Sequence, residues 1–225
     1  MPAQASTFQH ENAFDFVMLP AATRQGGVPA LGWTRVAMDL HRLMNESVGV
    51  AVIELETAGQ IAVDFSRRVY WWTQQPPSFP LEPRVARVRY ARDYRSDAPY
   101  LPSRSRELDE LVWYIGRLAF AGEAAWWQTE GDRYRLAHWP NLTELAHEPE
   151  DMSMIALLAR GPLTVAGLSA ASGGTLDSAV SLINTLDLMG LLAAEPAGES
   201  TGVVPQPKPA QRDGLFARLR ARLVR

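Results

Sequence analysis

Apolar residues along the chain change period several times, and each change marks an element. Residues 1–33 are irregular apart from one apolar patch at Phe14, Phe16, Val17, Met18 and Leu19. Thr34 has the chemistry of a helix N-cap, and Val36, Leu40, Leu43 and Met44 follow it on one helical face. VGVAVIELE (48–56) is rich in β-branched residues; a TAGQ turn joins it to IAVDF (61–65), and Arg67-Arg68 leads into VYWWTQ (69–74). Three such runs joined by short turns predict an antiparallel meander. The segment QQPPSFPLEP then interrupts it with four prolines, which cannot donate ladder hydrogen bonds. Beyond it RVARVRYAR alternates, with Ala86, Val88 and Tyr90 on one face and Arg87 and Arg89 on the other, the pattern of a strand with one wet face. Leu108, Leu111, Val112, Ile115 and Leu118 place a helix over about 104–120, and AAWWQTEGDRYRLAHW predicts a hairpin around Gly131. Residues 1–150 therefore predict an α+β domain, an antiparallel sheet with packed helices.

From Asp151 the period becomes helical. MSMIALLAR stops at Gly161-Pro162; Thr164 caps a short second helix that ends at Gly173-Gly174. Thr175 caps a third helix, whose core face is Leu176, Ala179, Val180, Ile183 and Leu186, with Asp177 near its N-terminus. Gly190 ends it, and LLAA follows as a strand. Residues 151–194 thus predict a small winged-helix-like unit packed on the first domain. Residues 195–213 hold four prolines and few large apolar groups, the composition of a disordered linker. In GLFARLRARLVR (214–225), Leu215, Phe216, Leu219 and Leu223 share one sector of a helical wheel, flanked by Arg218, Arg222 and Arg225 on one side and Arg220 on the other. A helix this short is marginal alone in water, so it is expected to order against something else.

Composition narrows the classes of function. The chain has no cysteine, which excludes disulfides, thiolate nucleophiles and Cys-type zinc sites. The first twenty residues lack a basic region followed by an apolar run, and no window approaches the ~20 apolar residues of a membrane span, so a cytoplasmic location is expected. The formal charge is −3, against a dedicated nucleic-acid binder. Lys208 stands alone among the lysines against 21 arginines, which fits the codon bias of a GC-rich genome. Seven of those arginines fall between Arg84 and Arg106 and five between Arg212 and Arg225.

Candidate chemistry is sparse. His10, His41, His138 and His147 have no metal-ligand spacing, and His147-Glu148-Pro149-Glu150-Asp151 reads as solvated acids before a helix. There is no nucleophile elbow, P-loop or dinucleotide fingerprint, so no catalytic residue, metal or cofactor is assigned. Arg87, Arg89 and Arg92 are the candidate anion- or nucleotide-binding residues, with tryptophans available to stack bases. Arg106-Glu107-Leu108-Asp109 matches the R-x-x-D pattern of cyclic-di-GMP inhibitory sites, a match that chance produces easily. Trp71-Trp72 and Trp126-Trp127 each place one indole inward and one outward, and an outward tryptophan marks a contact surface. Between Met152 and Glu195 the sole basic residue is Arg160, and the third helix opens with Thr175-Leu176-Asp177-Ser178, an anion where a DNA-reading helix carries a cation. Duplex DNA is therefore not expected on the winged-helix-like unit. The tail fits an apolar groove on a protein better than an anionic membrane surface, which four large apolar residues hold only weakly, and docking back on its own domain is the third reading.

The helix TRVAMDLHRLMNES, the glycine-containing strand pair VGVAVIELETAGQIAVDF, a strand ending in aromatics and a winged-helix-like tail together resemble bacterial PATAN-type proteins. The resemblance covers residues 34–74 and 152–195 and carries over no individual residue. It implies a signalling module of motility or two-component pathways that acts by protein contact. Both lines of reading converge on a non-enzymatic bacterial adaptor that binds a protein partner through Leu215, Phe216, Leu219, Arg222 and Leu223, with Trp71 and Trp72 as a second contact. The alternative is a nucleic-acid or nucleotide-binding regulator using the Arg84–Arg106 surface.

Overall fold

The computed structural model describes residues 17–20, 23, 29–45, 49–56, 58–74, 79–81, 85–91 and 105–197. The chain runs through β1 (Val17–Met18), α1 (Gly32–Met44), β2 (Val50–Leu55), β3 (Gly59–Asp64), β4 (Val69–Trp72) and β5 (Val85–Ala91). It continues through β6 (Arg106–Glu107), α2 (Leu108–Leu118), a 3-10 turn (Ala119–Gly122), β7 (Arg133–Leu136), α3 (Pro149–Arg160), α4 (Val165–Ser172), α5 (Leu176–Leu188) and β8 (Leu192–Glu195). Six strands form one sheet in the order β1-β5-β2-β3-β4-β6, every pairing antiparallel, and β7 pairs with β8 in a separate ribbon. The fold is α+β.

The meander forms where the β-branched runs predict it. Ile53 lies opposite both Ile61 and Val88, and Ala51 opposite Val63, so one sheet face is continuously apolar. Helix α1 lays Trp33, Val36, Ala37, Leu40 and Leu43 into the core, and α2 adds Leu108, Leu111, Val112 and Ile115, all at most 3% exposed. Each large side chain so buried contributes roughly 1.5–3 kcal/mol of transfer free energy, which makes this face the main source of stability.

Structure and expectation part at four places in the sheet and its neighbouring elements. The face carrying Arg89 is not wet: Val50, Val52 and Ala62 share it and are at most 1% exposed. Alternation assigns residues to faces, and only packing decides whether a face meets water. Thr34 is not the cap of α1, which begins at Gly32; its hydroxyl instead accepts a hydrogen bond from the Phe120 amide at 2.8 Å. Helix α2 starts at Leu108 because Arg106 and Glu107 are drawn into the sheet beside Tyr70 and Val69. Finally, the hairpin around Gly131 does not form. Residues 124–129 turn without pairing, and β7 takes β8 as its partner, with an isolated bridge from Tyr134 to Leu163.

The capping chemistry of the C-terminal helices follows the sequence closely. Helix α3 is the exception: it opens at Pro149, two residues before the Asp151 start read from the sequence, behind a reciprocal Glu148–Asp151 capping box. The Thr164 and Thr175 hydroxyls accept from the Gly167 and Ser178 amides, each at 3.0 Å, and Gly173, at φ 74°, ends α4. Helix α5 lies along α2, with Ser181 Oγ donating to the Arg117 carbonyl at 3.1 Å. The buried cluster runs unbroken from Trp33 through Trp113 to Ile183 and Met189, so the core is continuous across residue 150.

Candidate functional site

The 3-10 turn after α2 brings α1, α5 and the tryptophan pair together. Phe120 and Ala121 adopt left-handed backbone, φ 65° and 47°, before Gly122 at φ 84°. For residues with a Cβ this costs roughly 1–2 kcal/mol each, and it persists because both ends of the turn are anchored. Thr34 holds the Phe120 amide, while buried Asn184 donates to the Glu123 carbonyl and accepts from the Ala125 amide, both at 2.9 Å. The chain is thereby turned so that Trp127 enters between two helices. Its ring stacks on His41 at 3.8 Å, meets Phe120 edge-on at 5.5 Å, and its Nε1–H donates to Asp187 Oδ2 at 2.7 Å. Gln128 donates to the same carboxylate oxygen at 2.9 Å. Burial pushes the His41 pKa below its usual value, and the Asp187 charge works against that shift.

Trp126, the other member of the pair, borders a groove of about 690 Å³ between the 124–132 loop, β7 and the first turns of α4 and α5. The volume falls within the roughly 300–1,000 Å³ of ligand-sized clefts. Its floor includes Tyr134, Val165 and Val180; its rim carries Leu176, Glu130 and Asp132. Leu176 opens α5 and is 54% exposed, although its period places it on the core face. Leu176 alone of that face stands exposed, among the residues that line the groove. Residues 105–197 hold five arginines against thirteen Asp and Glu, a formal charge of −8. A smaller cleft of about 320 Å³ lies beside Phe79, Trp113 and Arg117; Arg117 is paired there with buried Asp151 at 3.1 Å.

Among the described residues, those singled out from sequence do not converge. Trp72 is a core residue, 5% exposed, with its indole donating to the Ala58 carbonyl at 2.9 Å, so it offers no contact surface. Trp71 is half-buried on the opposite sheet face, across from Ala62. Arg89 is drawn into an ion pair with Glu54 at 2.9 Å, both side chains about 15% exposed, which removes it from an open anion groove. Arg92, the Arg87 side chain and the tail residues Leu215, Phe216, Leu219, Arg222 and Leu223 lie outside the described residues. The R-x-x-D residues serve separate partners: Arg106 donates to the Gln74 carbonyl and the Tyr70 hydroxyl, and Asp109 accepts from Arg68 at 2.6 Å. The acids before α3 are its cap, with Asp151 buried.

Sequence reasoning missed His41, Asp187 and Asn184 as partners of the tryptophan loop, because each contact joins residues about 60 or more positions apart. Among the described residues, no group of three His, Asp or Glu side chains could hold a metal ion, and no helix is long and apolar enough to cross a membrane. The fold and groove define the class only as an α+β protein with an acid-rimmed apolar cleft. No family model, curated protein or solved structure matches the chain.

Proposed function

We propose that the chain is a non-enzymatic cytoplasmic adaptor and that the groove at the start of α4 and α5 is its protein-contact site. One observation carries this reading: an apolar cleft with Leu176 standing 54% exposed at its mouth and carboxylates at its rim. Exposed leucine beside an apolar cleft is what a partner's apolar side chains cover, and the acidic rim selects a basic partner. The three helices with the β7–β8 ribbon would then be a winged-helix-like unit used for protein contact, as in the PATAN-type modules that the chain resembles. The same charge opposes duplex DNA, which repels a surface rich in carboxylates.

Affinity capture from the native cell, using the full chain beside Leu176→Glu, tests the reading. A protein recovered by the full chain and lost from the variant supports it; equal recovery retires the groove. Saturable tryptophan fluorescence changes with oligonucleotides or cyclic dinucleotides, abolished by Arg87→Ala, would favour the nucleotide-binding alternative instead.

A further inference from the structure

The groove and the tail have matching chemistry. The described chain ends at Ala197, whose amide donates to the rim residue Asp132 at 3.3 Å. The tail is therefore tethered at the lip of the groove. Sixteen residues, 198–213, separate that point from Gly214; extended, they can span up to ~55 Å, far more than the distance needed to turn back. A tether of this length holds its end near the groove at an effective concentration on the order of millimolar. Even a weak intrinsic affinity, with Kd about 0.1 mM, then fills the groove about nine times in ten.

Charge and shape point the same way. Residues 212–225 carry five arginines and one aspartate, against the −8 of residues 105–197. As a helix, the tail places Leu215, Phe216, Leu219 and Leu223 on one face with arginines along its margins, the complement of an apolar cleft edged by Glu130 and Asp132. A short amphipathic helix that is unstable alone needs such a surface to order.

We infer that residues 214–225 dock in the groove of their own chain, apolar face inward and arginines toward Glu130 and Asp132, so that a partner must displace them. The tail is then an intramolecular plug for the contact site as well as a recruitment element. This rests on the reading of the groove as a protein-contact surface.

The absence of cysteine makes the test direct. Ala221 lies opposite the apolar sector, so Ala221→Cys in the full chain accepts a nitroxide without disturbing the docking face. The expected result is paramagnetic loss of amide signal intensity at residues 124–132 and 164–180, independent of protein concentration. Arg218→Glu with Arg222→Glu restores those signals, and adding Glu130→Arg with Asp132→Arg to that variant brings the loss back. The tail pair tests the contact without touching the folded body. Unchanged groove signals would overturn the inference, as would an equal loss of signal in mixtures of labelled natural-abundance chain with isotope-enriched unlabelled chain, which would assign the occupant to a second copy. Leu176-dependent capture of a partner with no paramagnetic effect would sink the tail plug alone, whereas Leu176-independent capture would sink the contact site itself.

Discussion

A Cβ added to Gly116 would stand 2.7 Å from the Thr185 Cα, so α2 and α5 pack with backbone against backbone. This contact joins the sheet-bearing part of the chain to its C-terminal helices. Gly116→Ala is expected to force the helices apart and cost about 1–3 kcal/mol, read as a lower denaturation midpoint. Gly161, with φ 169° and no atom within 4 Å of an added Cβ, is the control; Gly161→Ala is expected to leave the midpoint unchanged or raise it slightly.

The tryptophan loop is held by two side chains from different helices. Asn184→Ala removes both of its hydrogen bonds to the loop and leaves the buried Ala125 amide unmet, an expected loss of about 1–3 kcal/mol. Ala121→Gly relieves left-handed backbone at an exposed site and is expected to stabilise by about 1 kcal/mol. Thermal melts of the two variants should move in opposite directions.

Asp39 is 4% exposed, and burial raises its pKa to about 6 against the opposing charges of Arg35 and Arg42. The folded state therefore holds a proton on Asp39 that the unfolded state releases near pH 3.8. Stability is expected to fall as pH rises through this window, by an amount on the order of 3 kcal/mol when complete. Asp39→Asn should flatten that slope and make the protein more stable at pH 8, with little difference at pH 4, as followed by urea titration at each pH.

His41 gives the opposite sign. Its lowered pKa means that the folded state binds its proton less readily than the unfolded state, so its contribution favours folding at higher pH and weakens as pH falls below the usual histidine range. Asp187 raises the His41 pKa electrostatically; Asp187→Asn is expected to lower it further. An imidazole NMR titration of the two proteins measures the difference, and an upward shift in the variant would contradict the assignment.

Local pattern determined much of this molecule. The runs of β2, β3 and β4 needed only their own alternation and short turns to pair, and the α4 and α5 termini followed from Thr164, Thr175 and Gly173, whose capping bonds span a few residues. The long-range contacts were decided only by the tertiary structure. Arg89 reads as solvent-facing until Glu54 lies beside it and buried Val52 lies across from it. Leu176 fits the core period of α5 yet stands at the mouth of a groove, because the packed interior ends before its helix does. Trp127, His41 and Asp187 meet only because Thr34 and Asn184 hold a left-handed turn between helices far apart in sequence. Periodicity and capping are local interactions that a sequence displays directly; burial, ion pairing and clefts belong to surfaces that exist only once distant segments have packed.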